Sequence, residues 1–297
     1  MNTPLLTGAY TALVTPFNAD GSLDEAAYAA LVEWQVTEGI HGLVPVGSTG
    51  EAATMSLEER VRAVRITVEQ VKGRVPVIAG AGGNDTKVAI ETSKAMAAAG
   101  ATHLLHVSPM YSKPPQRGIL AHFRAIADAA PRPVVVYNVP GRTASNIEAE
   151  TMLALAEHPN IVALKEASGN LTQITEIIRH RPATLSVLSG DDGLTLGVIA
   201  GGGHGVVSVI SNAVPRLTAQ LCDAASRGEV ATARAIHLRL HAFTQAAFSE
   251  SNPIPIKAAL AMMGRIQNQL RLPLVPLATQ HVARVRAGLL EAGVVLA

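Results

Sequence analysis

The sequence predicts an α/β fold, a (β/α)8 TIM barrel followed by a C-terminal helical appendage. Three observations predict it. Eight short apolar runs recur before residue 211, and a helical pattern follows each of them. Most runs are too continuously apolar for strands with one wet face, so they read as parallel strands covered on both sides. Beyond residue 228 helical patterns succeed one another with no strand between them. Residues 1–227 are therefore expected to form the barrel and 228–297 a helical region packed on it. A doubly wound sheet is the structural alternative. It often carries Gly-x-Gly-x-x-Gly after its first strand, and here that strand runs into TPFNADG instead.

The first strand is expected at 8–16 (GAYTALVTP), and the helix after it, 24–39, holds Ala27, Leu31 and Trp34 at helical spacing. Strand 40–47 precedes helix 57–71, which Ser56 and Glu59 announce as a capping box. Strand 75–82 leads to helix 86–99 behind Asn84-Asp85, and strand 101–109 leads to helix 116–130. Strands 132–139 and 160–167 precede helices 147–157 and 170–180. Strand 183–190 is followed by a short helix, 192–200, and strand 202–210 by helix 214–227. The appendage reads as helices 229–248 and 254–264, a connector at 271–276 and a last helix at 277–291. Prolines in VPRLTAQL and NPIPIKAAL stand where helices begin.

Composition narrows the function classes. The 297 residues are 48% apolar, 16% charged and 3% aromatic, with a formal net charge of +1. A chain of this size can bury roughly three quarters of its extended surface. No Lys/Arg run and few aromatics argue against nucleic-acid binding. No run of eighteen apolar residues suggests a membrane span, and MNTPLLTGAYTALVTPF reads as a first strand rather than a signal peptide. The one cysteine, Cys222, has no partner for a disulfide and reads as a small helical core residue. Neither C-x-x-C nor H-E-x-x-H occurs, so no dedicated zinc site is expected. These features fit a cytoplasmic setting.

A barrel carries its site at the C-terminal ends of its strands. Polar or glycine-rich points lie at GSTGE (47–51), SPMYSKP (108–114), YNVPGRT (137–143), LKEAS (164–168), SGDD (189–192) and GGGHGVVSV (201–209), all expected on that face. Lys165 is the anomaly, because it interrupts the run Ile161-Val162-Ala163-Leu164. A buried ammonium is costly unless paired. Desolvation lowers its pKa and frees the amine as a nucleophile toward a ketone. The alternative is an ion pair with Glu166 or a loop carboxylate, but adjacent strand residues face opposite ways, which makes Glu166 a poor partner. Lys72, Lys87 and Lys94 lie on helices or their ends, Lys113 lies in a loop, and Lys257 sits near a helix start outside the barrel interior.

Tyr137 ends the strand beside that of Lys165, where a phenol could shuttle protons or simply fill the core. Arg142, past Pro140-Gly141, offers a fork suited to a substrate carboxylate or a solvated loop cation. Ser48 and Thr49 between Gly47 and Gly50 offer hydroxyls and N–H groups as a nest for a small carboxylate, or a cap for the next helix. His204 in the GGGHG run is left without a role, since glycines at a barrel rim more often mark close backbone approach. Asp191 and Asp192 could cap the helix that follows them.

The motifs TALVTPF, GSTGE, YNVPGRT, LKEASG, LSGDD, GGHGVVSV and SNPIPIK, in this order, span essentially the whole chain. In them the chain resembles the dihydrodipicolinate synthase family, within the pyruvate-dependent class I aldolases that include N-acetylneuraminate lyase. The resemblance implies a carbon–oxygen lyase that condenses pyruvate with L-aspartate 4-semialdehyde on the diaminopimelate route to lysine, with no metal or organic cofactor. It implies that Lys165 forms the imine, that Tyr137 is the proton shuttle, and that Thr49 relays protons between Tyr137 and Tyr111 of a neighbouring subunit. Arg142 then receives the semialdehyde carboxylate, Ser48 and Thr49 hold pyruvate, and Gly190 and Val207 line its pocket. A homotetramer, a dimer of tight dimers, is implied as well. Ser48-Thr49 stands where the synthases usually have two threonines, and serine there is shared with the neuraminate lyases. A related aldolase acting on a longer sugar acid is the alternative, and Arg142 in its GRT context discriminates. At the positions that bind inhibitory lysine in some synthases this chain has Ala52, Leu57, Arg60, Val88 and Met110, with Asn84 alone retained, so feedback inhibition is expected to be weak or absent.

Overall fold

The computed structural model of the protein describes residues 4–297. The first three residues of the segment read as free of a signal peptide lie outside the described residues. The chain runs β1 (Gly8–Ala12), α1 (Glu25–Thr37), β2 (Gly42–Val44), α2 (Leu57–Val71), β3 (Ile78–Gly80), α3 (Thr86–Ala98), β4 (His103–Val107), α4 (Gln116–Ala129), β5 (Val134–Asn138), α5 (Pro140–Thr143) and α6 (Ala149–Ala156). It continues through β6 (Ile161–Glu166), α7 (Leu171–His180), β7 (Ser186–Ser189), α8 (Thr195–Ala200), β8 (Gly205–Ser208) and α9 (Pro215–Ser226). The last helices are α10 (Val230–Ala247), α11 (Ile254–Met262) and α12 (Thr279–Ala292).

The eight strands form one parallel sheet in the order β2-β1-β8-β7-β6-β5-β4-β3. Its ends meet through a Leu43–Val77 bridge, with Leu43 N–H donating to Pro76 O at 3.0 Å and Gly80 N–H to Pro45 O at 3.0 Å. The expected barrel is therefore observed, and it closes. Burial on both faces explains the continuous apolar runs. Tyr10, Ala12, Val44, Ile78, Leu105, Val135, Tyr137, Ala163, Leu188 and Val207 share one buried cluster, the barrel interior. Their strand neighbours, among them Leu43, Leu104, Val136, Leu164, Val187 and Val206, pack outward in the helix-facing clusters. This is the period-2 alternation of a strand with two dry faces.

Local signals set the helix starts. Ser56 and Glu59 form the expected capping box ahead of α2, and Asp85 accepts from Lys87 and Val88 N–H at the head of α3. Three expectations need correction. Residues 192–200 divide into a 3-10 turn at Asp192–Leu194 and the short α8. Asp191 caps that turn, while Asp192 does not cap a helix: its Oδ2 accepts from Val209 and Ile210 N–H. The GGGHG run precedes β8 and so lies at the N-terminal end of the barrel, opposite the other motifs. There His204 Nδ1 accepts from Val187 N–H beside His41 and Asp223. The apolar pattern places 202–210 on a strand, whereas Gly205 is the first residue that pairs.

Helices α10–α12 follow with no strand between them; α10 packs on α9 and α12, and α11 on α12. One apolar cluster runs from α1 and α2 on the barrel flank to Phe243 of α10 and Leu289 of α12. All seven residues from Ile254 to Leu260 of α11 are buried, which carries this helix from the flank to the C-terminal rim of the barrel.

Candidate active site

Parallel pairing of β5 with β6 sets Tyr137 beside Lys165 and Asn138 beside Glu166. Tyr137 belongs to the interior cluster, and the Lys165 Nζ lies 4.1 Å from the centroid of its ring. Lys165 is 6% exposed and enters no ion pair among the described residues. Burial lowers its pKa to about 7; the Asp192 carboxylate opposes this, and the Arg142 guanidinium adds to it. A substantial fraction of this amine is therefore neutral, and nucleophilic, near neutral pH. Burial pushes the Tyr137 phenol up to about 12, with Arg142 opposing and Glu166 reinforcing the shift, so the ring carries its proton.

Glu166 points to the other face, as its alternation with Lys165 requires. Its carboxylate accepts from Asn138 Nδ2 at 3.1 Å and from Ser168 N–H at 2.7 Å. Two glycine-dependent approaches shape the Lys165 pocket and its rim. A Cβ at Gly190 would stand 2.7 Å from Ala167 Cβ and 3.2 Å from Lys165 Cγ and Cε, so only glycine leaves room for the lysine stem. A Cβ at Gly50 would press on Leu13 O at 3.1 Å, which keeps the 47–51 turn tight against β1. Val207 lines the interior from β8.

The 47–51 turn folds back so that Gly50 N–H donates to Gly47 O at 3.1 Å and Glu51 N–H to Ser48 O at 3.2 Å. Among the described residues the Ser48 and Thr49 N–H groups have no protein acceptor. Thr49 is buried and Ser48 exposed. Glu51, at φ 55°, turns its carboxylate inward to the Lys257 Nζ at 2.7 Å, and both side chains are fully buried. Lys257 also donates to Thr15 O at 2.8 Å, and Arg271 N–H donates to Glu51 at 3.0 Å. Lys257 does sit near a helix start, but it is far more enclosed than its position suggested. Burial lowers its pKa while Glu51 opposes that, and the 2.7 Å contact with Glu51 gives this amine the partner that Lys165 lacks.

Arg142 lies on α5, a single turn where the sequence suggested an irregular loop. Its Nη2 donates to Asn252 O at 3.0 Å, and Asn252 Nδ2 donates to Thr49 Oγ1 at 2.8 Å. Tyr111 is 90% exposed at φ 68°, its N–H donating to Thr143 O at 3.2 Å just beyond Arg142. Lys165, Tyr137, Gly190 and Val207 thus meet inside the barrel, Thr49 and Arg142 are linked through Asn252 at its mouth, and Tyr111 projects from the same chain into open space. Among the described residues no group of three or more His, Cys, Asp or Glu side chains is arranged to hold a metal ion.

Residues 5–292 match the family model described as the dihydrodipicolinate synthetase family. The chain belongs to this family. It is 50% identical over 289 residues to a 4-hydroxy-tetrahydrodipicolinate synthase of Nitratidesulfovibrio vulgaris strain Miyazaki F, covering 97% of this chain and 99% of the relative. Against the enzyme of that name from Koribacter versatilis it is 51% identical over 290 residues, 97% of each chain. Among solved structures, a chloride-inhibited dihydrodipicolinate synthase of Acinetobacter baumannii complexed with pyruvate matches with a TM-score of 0.96, at 38% identity, over 97% of this chain and 99% of that one.

Residue patterns alone left Asn252, Glu51 and Lys257 without roles in the family's site. Lys257 carried a usable signal, since it interrupts the apolar run Ile254-Pro255-Ile256 as Lys165 interrupts its strand. Asn252 carried none beyond its place in the SNPIPIK motif, because its partner Thr49 is 203 residues away in sequence.

Proposed function

We infer that this protein condenses pyruvate with L-aspartate 4-semialdehyde as a 4-hydroxy-tetrahydrodipicolinate synthase, a Schiff-base lyase on the diaminopimelate route to lysine. One observation carries the inference: an unpaired, buried amine at Lys165, 4.1 Å from the Tyr137 ring, in a chain half identical to enzymes of that name. The neutral Lys165 amine adds to the pyruvate ketone, and the carbinolamine loses its oxygen as water to give the imine. Tyr137 passes the protons of both steps. The iminium draws electrons from the methyl carbon, which sheds a proton to become an enamine, so the chemistry needs no metal or organic cofactor. The enamine carbon attacks the aldehyde and forms the new C–C bond and a hydroxyl group. The semialdehyde amine then displaces Lys165 from the imine carbon, closes the ring and returns the free lysine.

The remaining roles extend the family resemblance to this chain, with support from the geometry. The free N–H groups of Ser48 and Thr49 receive the pyruvate carboxylate, as a backbone nest does for a small anion. Gly190 and Val207 shape the pocket around it. Arg142 keeps donors beyond the one bound to Asn252 O, and these receive the semialdehyde carboxylate. Thr49 relays protons between Tyr137 and the neighbouring subunit's Tyr111. This last role requires a tight dimer, two of which make the tetramer. Support comes from the exposure of Tyr111 together with Val88 at 51% and Leu57 at 42%, apolar side chains that association would cover. We take residues 1–227 as the barrel and 228–297 as a helical region whose α10–α11 loop completes the site. A cytoplasmic setting accords with the single cysteine, a buried free thiol. Among the described residues no helix is long and apolar enough to cross a membrane.

A coupled assay with pyruvate and L-aspartate 4-semialdehyde tests the activity. Turnover is expected, and L-lysine at sub-millimolar concentration should inhibit weakly or not at all, because Val88 offers no carboxylate for its ammonium. Cleavage of a sugar acid such as N-acetylneuraminate, without turnover of the semialdehyde, would overturn the assignment.

A further inference from the structure

The strand that carries Lys165 breaks step once. Val134 of β5 pairs with Ile161 of β6, but Val135 pairs with Ala163, so Val162 is an extra residue in this ladder. Strand residues alternate between faces, and a bulge resets that alternation by one. The packing records the reset. Ile161 and Leu164 belong to the outer cluster between barrel and helices, while the consecutive residues Val162 and Ala163 both lie in the interior cluster. Beyond the bulge Tyr137 pairs with Lys165 and Asn138 with Glu166. An unbroken ladder from Ile161 would instead set Leu164 beside Tyr137 and Lys165 beside Asn138. It would turn Lys165 outward, into the apolar layer that holds Ile147 and Ile174, and Glu166 into the barrel.

One polar contact on the outer face fits only the shifted register. Asn138 and Glu166 are both buried, and the Asn138 Nδ2 donates to both carboxylate oxygens of Glu166 at 3.1 Å. Ile147 N–H donates to Asn138 Oδ1 at 2.9 Å, while Ser168 N–H and Gln173 Nε2 donate to Glu166 at 2.7 and 3.4 Å. In the unbroken register the Glu166 carboxylate would leave these donors for an apolar interior, which a buried charge strongly disfavours. We propose that Asn138 and Glu166 are positioning residues for the reaction, a lock on the outer face of the barrel that keeps Lys165 turned inward beside Tyr137. The inference rests on the synthase reading above, in which Lys165 forms the imine. Neither side chain of the lock faces the barrel interior. Each acts through the strand residue that precedes it, Tyr137 on β5 and Lys165 on β6.

A reciprocal swap tests the lock. E166Q faces the Asn138 and Gln173 amides with N–H groups of its own, and N138D sets two carboxylates against each other. Each should slow borohydride trapping of pyruvate, measured per folded chain, by about 100-fold, the scale of a misplaced reacting group. N138D/E166Q returns one carboxylate and one amide to contact with their roles exchanged, and should trap at least about 10-fold faster than either single variant. Two independent packing defects would multiply instead of recovering. Asn138→Ala removes the donor without adding a charge and should slow trapping by about 10-fold, which keeps the test decisive if a charge change prevents folding. Wild-type protein that traps no pyruvate on Lys165 would refute the synthase reading. Wild-type trapping with E166Q, N138D and Asn138→Ala all at the parent's rate, or with the double swap no faster than the single variants, would refute the lock alone.

Discussion

Lys165 is held in a charge state that folding disfavours. Its pKa falls from 10.5 in the open chain to about 7 in the folded one. Below pH 7 it is an ammonium in both states, and the folded state carries the full burial penalty. Between about pH 7 and 10.5 the unfolded chain binds the extra proton, so this penalty is relieved as pH rises. Lys165→Met should therefore abolish imine formation yet raise stability by a few kcal/mol, on the order expected for a shift of this size, most of all below pH 7. Chemical denaturation at pH 6 and pH 10 checks this; a variant less stable than the parent at pH 6 would show that the lysine is structurally paired. In the parent, the rate of imine formation with pyruvate should rise through an apparent pKa near 7.

At the scale of elements, α11 and the 47–51 turn form one unit through the Glu51–Lys257 pair at 2.7 Å. Removing one partner leaves a buried charge alone, so Lys257→Met should destabilise by about 3–5 kcal/mol, and adding Glu51→Gln should recover part of that. Thermal denaturation of the single and double variants measures it, and additive losses would mean that the charges act separately. The sequence made the strand and helix series legible because periodicity is local: α2 occupies residues 57–71, as its capping box announced. It overextended every strand, since apolar patterning continues past the last ladder hydrogen bond, as in β2, which pairs only over Gly42–Val44. It missed α5 because Pro140-Gly141 also suits a turn. Lys165 and Tyr137 were legible as adjacent strand ends, whereas the Asn252–Thr49 and Lys257–Glu51 contacts join segments that no local pattern relates.

For the whole molecule, the barrel sets Lys165 and Tyr137 side by side on neighbouring strands and the last helices reach its mouth, while the proposed relay requires a second subunit. If Tyr111 acts in the neighbour's site, mixing Y111F and Y137F subunits rebuilds one intact site per heterodimer. Activity should then rise well above either variant alone, toward half that of the parent for each heterodimer. No rise in refolded mixtures that size analysis shows to be mixed would place Tyr111 in its own subunit's site or in none. The most direct test of the central claim is borohydride reduction in the presence of pyruvate, followed by mass mapping of the peptides. One adduct per chain is predicted, on the peptide carrying Lys165; an adduct on the Lys257 peptide or any other, or none at all, would contradict it.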